Sequence, residues 1–142
     1  IGLAGVRIGY MAAAPHWIDE FDKVRPPYNI SSLDEAAAEF ALEHLDVLLE
    51  QAARVRTDRS HLLAALRAMP GVVAFDSAAN FVLVRVADGP ATAAAMRARG
   101  VLIKDVGRMH PLLVNCLRLS VGSPDENTVL LAALSSALST SR

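Results

Sequence analysis

Apolar residues at Ala38, Leu42, Leu45, Leu49 and Ala52 recur at alternating steps of four and three. That is the spacing of one face of an α-helix. Phe40, Ala41, Val47 and Leu48 widen the face, which predicts a helix buried on more than one side. Ahead of it, Ser32-Leu33-Asp34-Glu35 has the form of a capping box: Ser32 would accept from the amide of Glu35, and Glu35 would reach back. Polar Thr57-Asp58-Arg59-Ser60 is the expected bend or interruption. The pattern then resumes with Leu62, Leu66 and Met69 until Pro70-Gly71 stops it.

On either side the periods are shorter. Ile8 to Ala13 reads as a strand, and Pro15 suits the first turn of a short helix from His16 to Val24. Arg25-Pro26-Pro27-Tyr28-Asn29 breaks that helix, because proline fixes its own φ and disfavours helix at the residue before it. Beyond the long helix, strands are expected at Val72–Phe75, Asn80–Val86, Val101–Lys104 and Cys116–Val121. In the second of these Val82, Val84 and Val86 share one face, while Phe81, Leu83 and Arg85 share the other. A helix over Ala91–Arg99 should close at Gly100. Ser123-Pro124-Asp125-Glu126 offers a second capping box, opening a last helix that runs to about Leu138. From Val72 onward this alternation predicts a small α/β unit, an open sheet with helices on one side.

The chain has 142 residues, 53% of them apolar, with a net charge of −1. Its mean hydropathy is +0.33. Scattered basic residues and near-zero charge argue against a nucleic-acid partner. No apolar run reaches the roughly 18–20 residues that span a bilayer. The single cysteine, Cys116, excludes an internal disulfide and suits a cytoplasmic protein. His16, His44, His61 and His110 lack metal-ligand spacing, so no metal site is expected.

Two segments carry candidate chemistry. Ile1-Gly2-Leu3-Ala4-Gly5-Val6-Arg7-Ile8-Gly9-Tyr10 places three glycines and one arginine in an apolar run. Glycine lets backbone amides approach a ligand, and arginine adds a fork of donors, so the segment reads as an anion-binding turn. It fits neither G-x-G-x-x-G nor G-K-S/T. In Cys116-Leu117-Arg118-Leu119-Ser120-Val121, alternation puts Arg118 with Cys116 and Ser120, opposite Leu117, Leu119 and Val121. An arginine between leucines calls for an anionic partner. That partner is an internal carboxylate on one reading and a ligand on the other.

The first segment resembles the G-L-A-G-x-R-x-G-Y stretch of fold type I, pyridoxal-phosphate (PLP) dependent aminotransferases. Asn115-Cys116-Leu117-Arg118-Leu119-Ser120-Val121-Gly122-Ser123-Pro124-Asp125-Glu126-Asn127 resembles N-C-L-R-[LI]-[ST]-[VI]-G-[ST]-P-x-E-N of the histidinol-phosphate aminotransferases. Gly100-Val101-Leu102-Ile103-Lys104-Asp105 is similar to the family's G-[IV]-[LI]-[VI]-R-D, with Lys104 at the arginine position. Arg25-Pro26-Pro27-Tyr28-Asn29 and Ser77-Ala78-Ala79-Asn80-Phe81 resemble two further segments that position the site, and Asn80 either reaches it or, as strand-end asparagines more often do, satisfies local backbone. The resemblance covers essentially the whole chain.

What the resemblance implies is the C-terminal part of a PLP-dependent transferase fold. Residues 1–38 would end the large PLP-binding domain, and residues 39–142 would form a long interdomain helix and the small α/β domain. Arg7 would bind the PLP phosphate, and Arg118 with Lys104 would hold the substrate anion. The lysine that carries the cofactor is expected just before Ile1, so no catalytic residue is assigned within the chain and the chain alone is expected to be inactive. The implied reaction moves an amino group between glutamate and imidazole-acetol phosphate, yielding histidinol phosphate, in histidine biosynthesis. A cytoplasmic homodimer acting on small molecules, without nucleic-acid or membrane partners, goes with it. Aromatic amino acid aminotransferases and threonine-phosphate decarboxylases share the glycine-arginine segment and remain alternatives. A free-standing amino-acid-binding α/β module is a third.

Overall fold

The computed structural model describes residues 4–140, the side chain of Thr140 excepted. The elements are α1 (Pro15–Asp22), α2 (Ser32–Glu43), α3 (Leu45–Arg67), β1 (Val73–Ala74), β2 (Phe81–Arg85), α4 (Gly89–Ala98), β3 (Lys104–Asp105), β4 (Cys116–Ser120) and α5 (Pro124–Thr140). They fall into two units that divide within α3, between Ala52 and Ala53.

The first unit holds a 3-10 turn at Ala4–Val6, α1, α2 and the start of α3. The strand expected at Ile8–Ala13 is not formed; the segment is extended chain without a ladder partner among the described residues. A strand needs a neighbour to take its backbone groups, and periodicity alone does not supply one. Ile1, Gly2 and Leu3 of the glycine-rich segment lie outside the described residues. Pro15 does occupy the first turn of α1.

The long helix differs from expectation at both its start and its break. The N-cap is Ser31, whose hydroxyl accepts from the Asp34 amide at 3.1 Å, one residue before the Ser32–Glu35 box. The interruption is at His44, not at Thr57–Ser60. His44 leaves helical geometry (φ −111°, ψ 34°), its ring stacks on Phe40 at 4.2 Å, and its Nδ1 lies 2.9 Å from the Phe40 carbonyl oxygen. Thr57 and Ser60 instead donate to carbonyls one turn back, at Ala53 and Arg56, and so stay inside α3. Among the described residues of the first unit only Ala41 is buried, whereas Leu42 and Leu49 are open. Against the expectation of burial, that apolar face is open within the described first unit.

The second unit is a four-stranded antiparallel sheet in the order β1-β2-β4-β3. The second part of α3, with α4 and α5, packs on one face. Leu62, Leu66, Met96, Leu130, Leu134 and Ala137 meet Val82, Val84, Val86, Leu117 and Leu119 in a single core. The alternation read in β2 and β4 is therefore the alternation observed. The outer strands are shorter than expected. Val101 and Ile103 pack half-buried against the core, and only Lys104–Asp105 pairs as strand.

Local chemistry sets the joints. Asp88 caps α4 by accepting from the Ala91 amide at 2.9 Å, and Gly100 takes φ +79° just after the helix. The second capping box forms as read: the Ser123 amide and hydroxyl both donate to Glu126 Oε2, at 2.7 and 2.9 Å. Those bonds, the backbone one first, hold the exposed Glu126 carboxyl below the ordinary glutamate pKa.

Two outcomes follow. Leu66 is fully buried, so Leu66→Ala should cost about 2–5 kcal/mol, measured by denaturant unfolding. A depressed folded-state pKa stabilises the fold above the unfolded value and loses that contribution as pH falls through the folded one. Glu126→Gln should therefore lower the Tm at neutral pH, and the gap should close as pH falls below about 4.

Candidate functional site

The outer face of the sheet, away from the core, is built by the same register that buries the valines. Arg118 lies opposite Leu83 on β2 and opposite Lys104 on β3. Directly opposed residues of an antiparallel pair share a face, with Cβ atoms about 4.5–5.5 Å apart. Two cations thus stand side by side on adjacent strands. Both are exposed. Like charges placed opposite each other are unfavourable unless something anionic joins them. Among the described residues neither makes an ion pair with a carboxylate. The internal-carboxylate reading of Arg118 thus finds no partner there. The guanidinium instead sits over the Phe81 ring, 5.4 Å from its centroid.

A third cation, Arg85, shares this face but is engaged. Arg85 lies over Phe75 at 5.5 Å and donates to the Leu112 carbonyl at 2.6 Å, which ties the 107–113 loop to β2. Cys116, on the same face by alternation, is fully buried.

The ends of the Asn115–Asn127 segment have structural duties. Asn115 takes a left-handed φ of 60°, donates to the Ala87 carbonyl at 2.8 Å and accepts from the Gly89 amide at 3.2 Å. A Cβ at Gly89 would fall 2.9 Å from the Asn115 Cα, so glycine is required where the two backbones cross. At the other end, buried Asn127 accepts from the Gly122 amide and donates to the Gly122 carbonyl, both at 3.0 Å. Between these anchors the β4 backbone is fixed, and Arg118 stands in its middle, open. Asp105, next to Lys104, accepts from the Gly107 amide at 2.8 Å and shapes the turn out of β3.

In the 77–81 segment, Ser77 donates to the Phe81 carbonyl and accepts from the Ala79 amide, while Arg59 donates to the Ala79 carbonyl. Asn80 pairs through its backbone, its carbonyl accepting from the Val121 amide at 2.9 Å, and its side chain is exposed.

Arg7 belongs to the first unit and is described there by itself. It is exposed, has φ 60°, and its amide bonds back to the Ala4 carbonyl at 3.3 Å. A left-handed φ in a non-glycine residue is uncommon and is a strain that functional turns tend to hold. Nothing lies within 4 Å of where a Cβ would stand on Gly5 or Gly9. The guanidinium forms no ion pair with a described residue. A free fork on an open turn fits a phosphate group.

The family model for class I and II aminotransferases matches residues 1–134. The chain belongs to that family. It is 58% identical over 134 residues to the histidinol-phosphate aminotransferase of Chromobacterium violaceum, a match covering 94% of this chain and 38% of that protein. The chain thus spans well under half the length of the curated relatives it matches. Among solved structures, the histidinol-phosphate aminotransferase of Sinorhizobium meliloti, in complex with pyridoxal-5'-phosphate, superposes with a TM-score of 0.74 and 29% identity over 99% of this chain and 39% of that one. The L-threonine-O-3-phosphate decarboxylase of Porphyromonas gingivalis gives 0.85 at 23% identity, over 97% of this chain and 43% of that one, a likeness of fold alone. No helix of the described residues is long and apolar enough to cross a membrane.

Proposed function

We propose that the complete protein is a PLP-dependent aminotransferase that exchanges an amino group between glutamate and imidazole-acetol phosphate, in the synthesis of histidine. The observation behind this reading is the opposed pair Lys104 and Arg118 on one open sheet face, with no described carboxylate between them. The names and identities of the relatives select the substrate class. On this reading residues 1–38 end the large cofactor-binding domain, and residues 39–142 form the connecting helices and the small domain. The protein acts on small molecules in the cytoplasm as a homodimer. The exposed Trp17, Phe21, Tyr28 and Phe40 of the first unit are the apolar surface that the rest of the protein and a second subunit would cover.

Each residue has a separable task. Arg7 holds the cofactor phosphate by its donor fork. Arg118 takes the phosphate of histidinol phosphate or the carboxylate of glutamate in turn, since its planar fork matches either anion. Lys104 adds a point charge without bidentate geometry. When bound, pyridoxal phosphate supplies the electron sink of the reaction. This chain supplies orientation and charge, and none of its residues is assigned a bond-making role.

In the full-length protein, Arg118→Ala should raise the KM for histidinol phosphate roughly 10- to 100-fold, the loss of a charge-assisted hydrogen bond. Its Tm should hardly move, because an exposed arginine without an ion pair leaves no partner stranded. Arg118→Lys should also be harmful, and Lys104→Arg neutral or beneficial. A large fall in Tm with an unchanged KM would refute the clamp. Arg7→Ala should weaken PLP binding, measured by titration of the apo protein, far more than it changes the melting temperature. Equal PLP affinity would remove Arg7 from the cofactor site.

A further inference from the structure

We infer that Phe81 is a positioning residue for Arg118, its ring contact restraining the guanidinium while no described residue takes its donors. The inference rests on the reading of Arg118 as the substrate-anion clamp.

Phe81 pairs with Ser120, one diagonal step along β4 from Arg118. The 5.4 Å between Arg118 Cζ and the ring centroid is inside the roughly 6 Å range of a cation–π contact. Among the described residues the ring is the only hydrogen-bonding, ionic or aromatic partner of the guanidinium. A ring in contact with the cation uses none of its N–H donors, whereas a bound anion needs them. A carboxylate in the same place would occupy the fork itself. An exposed arginine otherwise loses rotamer freedom when a ligand fixes it. A ring that restricts it beforehand lowers that cost at binding.

Two neighbours sharpen the point. Lys104 lies on the strand to one side of Arg118, and Phe81 on the strand to the other. Repulsion from Lys104 and attraction to the ring therefore act in the same direction across the sheet. Arg85 over Phe75 uses the same pairing differently, because its guanidinium also donates to Leu112 and is committed to the loop. Phe81 is itself well fixed: its carbonyl accepts from Ser77, and its strand is in register with β4.

The test compares variants of the full-length protein by KM for histidinol phosphate, kcat and Tm. Phe81→Leu should raise KM roughly 2- to 5-fold with little change in kcat, as expected for losing an exposed cation–π contact. Phe81→Tyr should keep the wild-type KM. Replacing Phe81 by pentafluorophenylalanine keeps the ring's shape and reverses the polarity of its face, so KM should rise with no fall in Tm. In an Arg118→Ala background, none of these changes should shift KM further. A pentafluoro variant with wild-type KM, beside an Arg118→Ala variant with raised KM, would overturn the positioning role and leave the clamp standing. An Arg118→Ala variant with wild-type KM would overturn both.

Discussion

β4 pairs with β2 on one side and β3 on the other, and that double register decides where every charge on the outer face stands. Leu117 and Leu119 enter the core against Val84 and Val82, their partners on β2. Because the side-chain period of a strand is two, burying those leucines forces Arg118 outward. A slip of one residue would bury a guanidinium and expose the leucines, which desolvation forbids. The core thus fixes the site from behind. Asn115 and Asn127 fix it from the ends, since each ties an end of the segment to backbone elsewhere in the unit.

The outer face is built against its own electrostatic preference. Arg118 and Lys104 oppose each other where an ordinary sheet would place opposite charges or an apolar pair. Exposure to water and salt keeps the cost small. On the proposed reading, a cation pair kept open in this way awaits an anion. Arg85 shows the contrast: the same residue type on the same face, turned to structural use by one carbonyl.

The first unit has the opposite imbalance. Tyr10 is 94% exposed and Tyr28 fully so, and the stripe through Leu42 and Leu49 is open. Its local joints are sound: Ser31 caps α2, and His44 with Phe40 sets the break before α3. Among its described residues, local order thus stands with little burial. The second unit, by contrast, closes a core of its own.

By itself the sequence determined the elements whose signals are local. The alternation read over Asn80–Val86 and Cys116–Val121 gives the shorter strands Phe81–Arg85 and Cys116–Ser120, with Cys116 buried as well, while the Ser123–Glu126 box and the glycine at 100 are found as read. It also marked Arg118, Lys104 and Arg7, the first two through segments whose outer residues turn out to be anchors. Tertiary structure decided the rest. Ile8–Ala13 reads as a strand but has no described neighbour to pair with. The opposition of Lys104 to Arg118, and the ring of Phe81 beneath the guanidinium, join residues 14 and 37 positions apart in the chain. No local pattern encodes such a meeting, because strand order and register follow from how the helices close over the sheet.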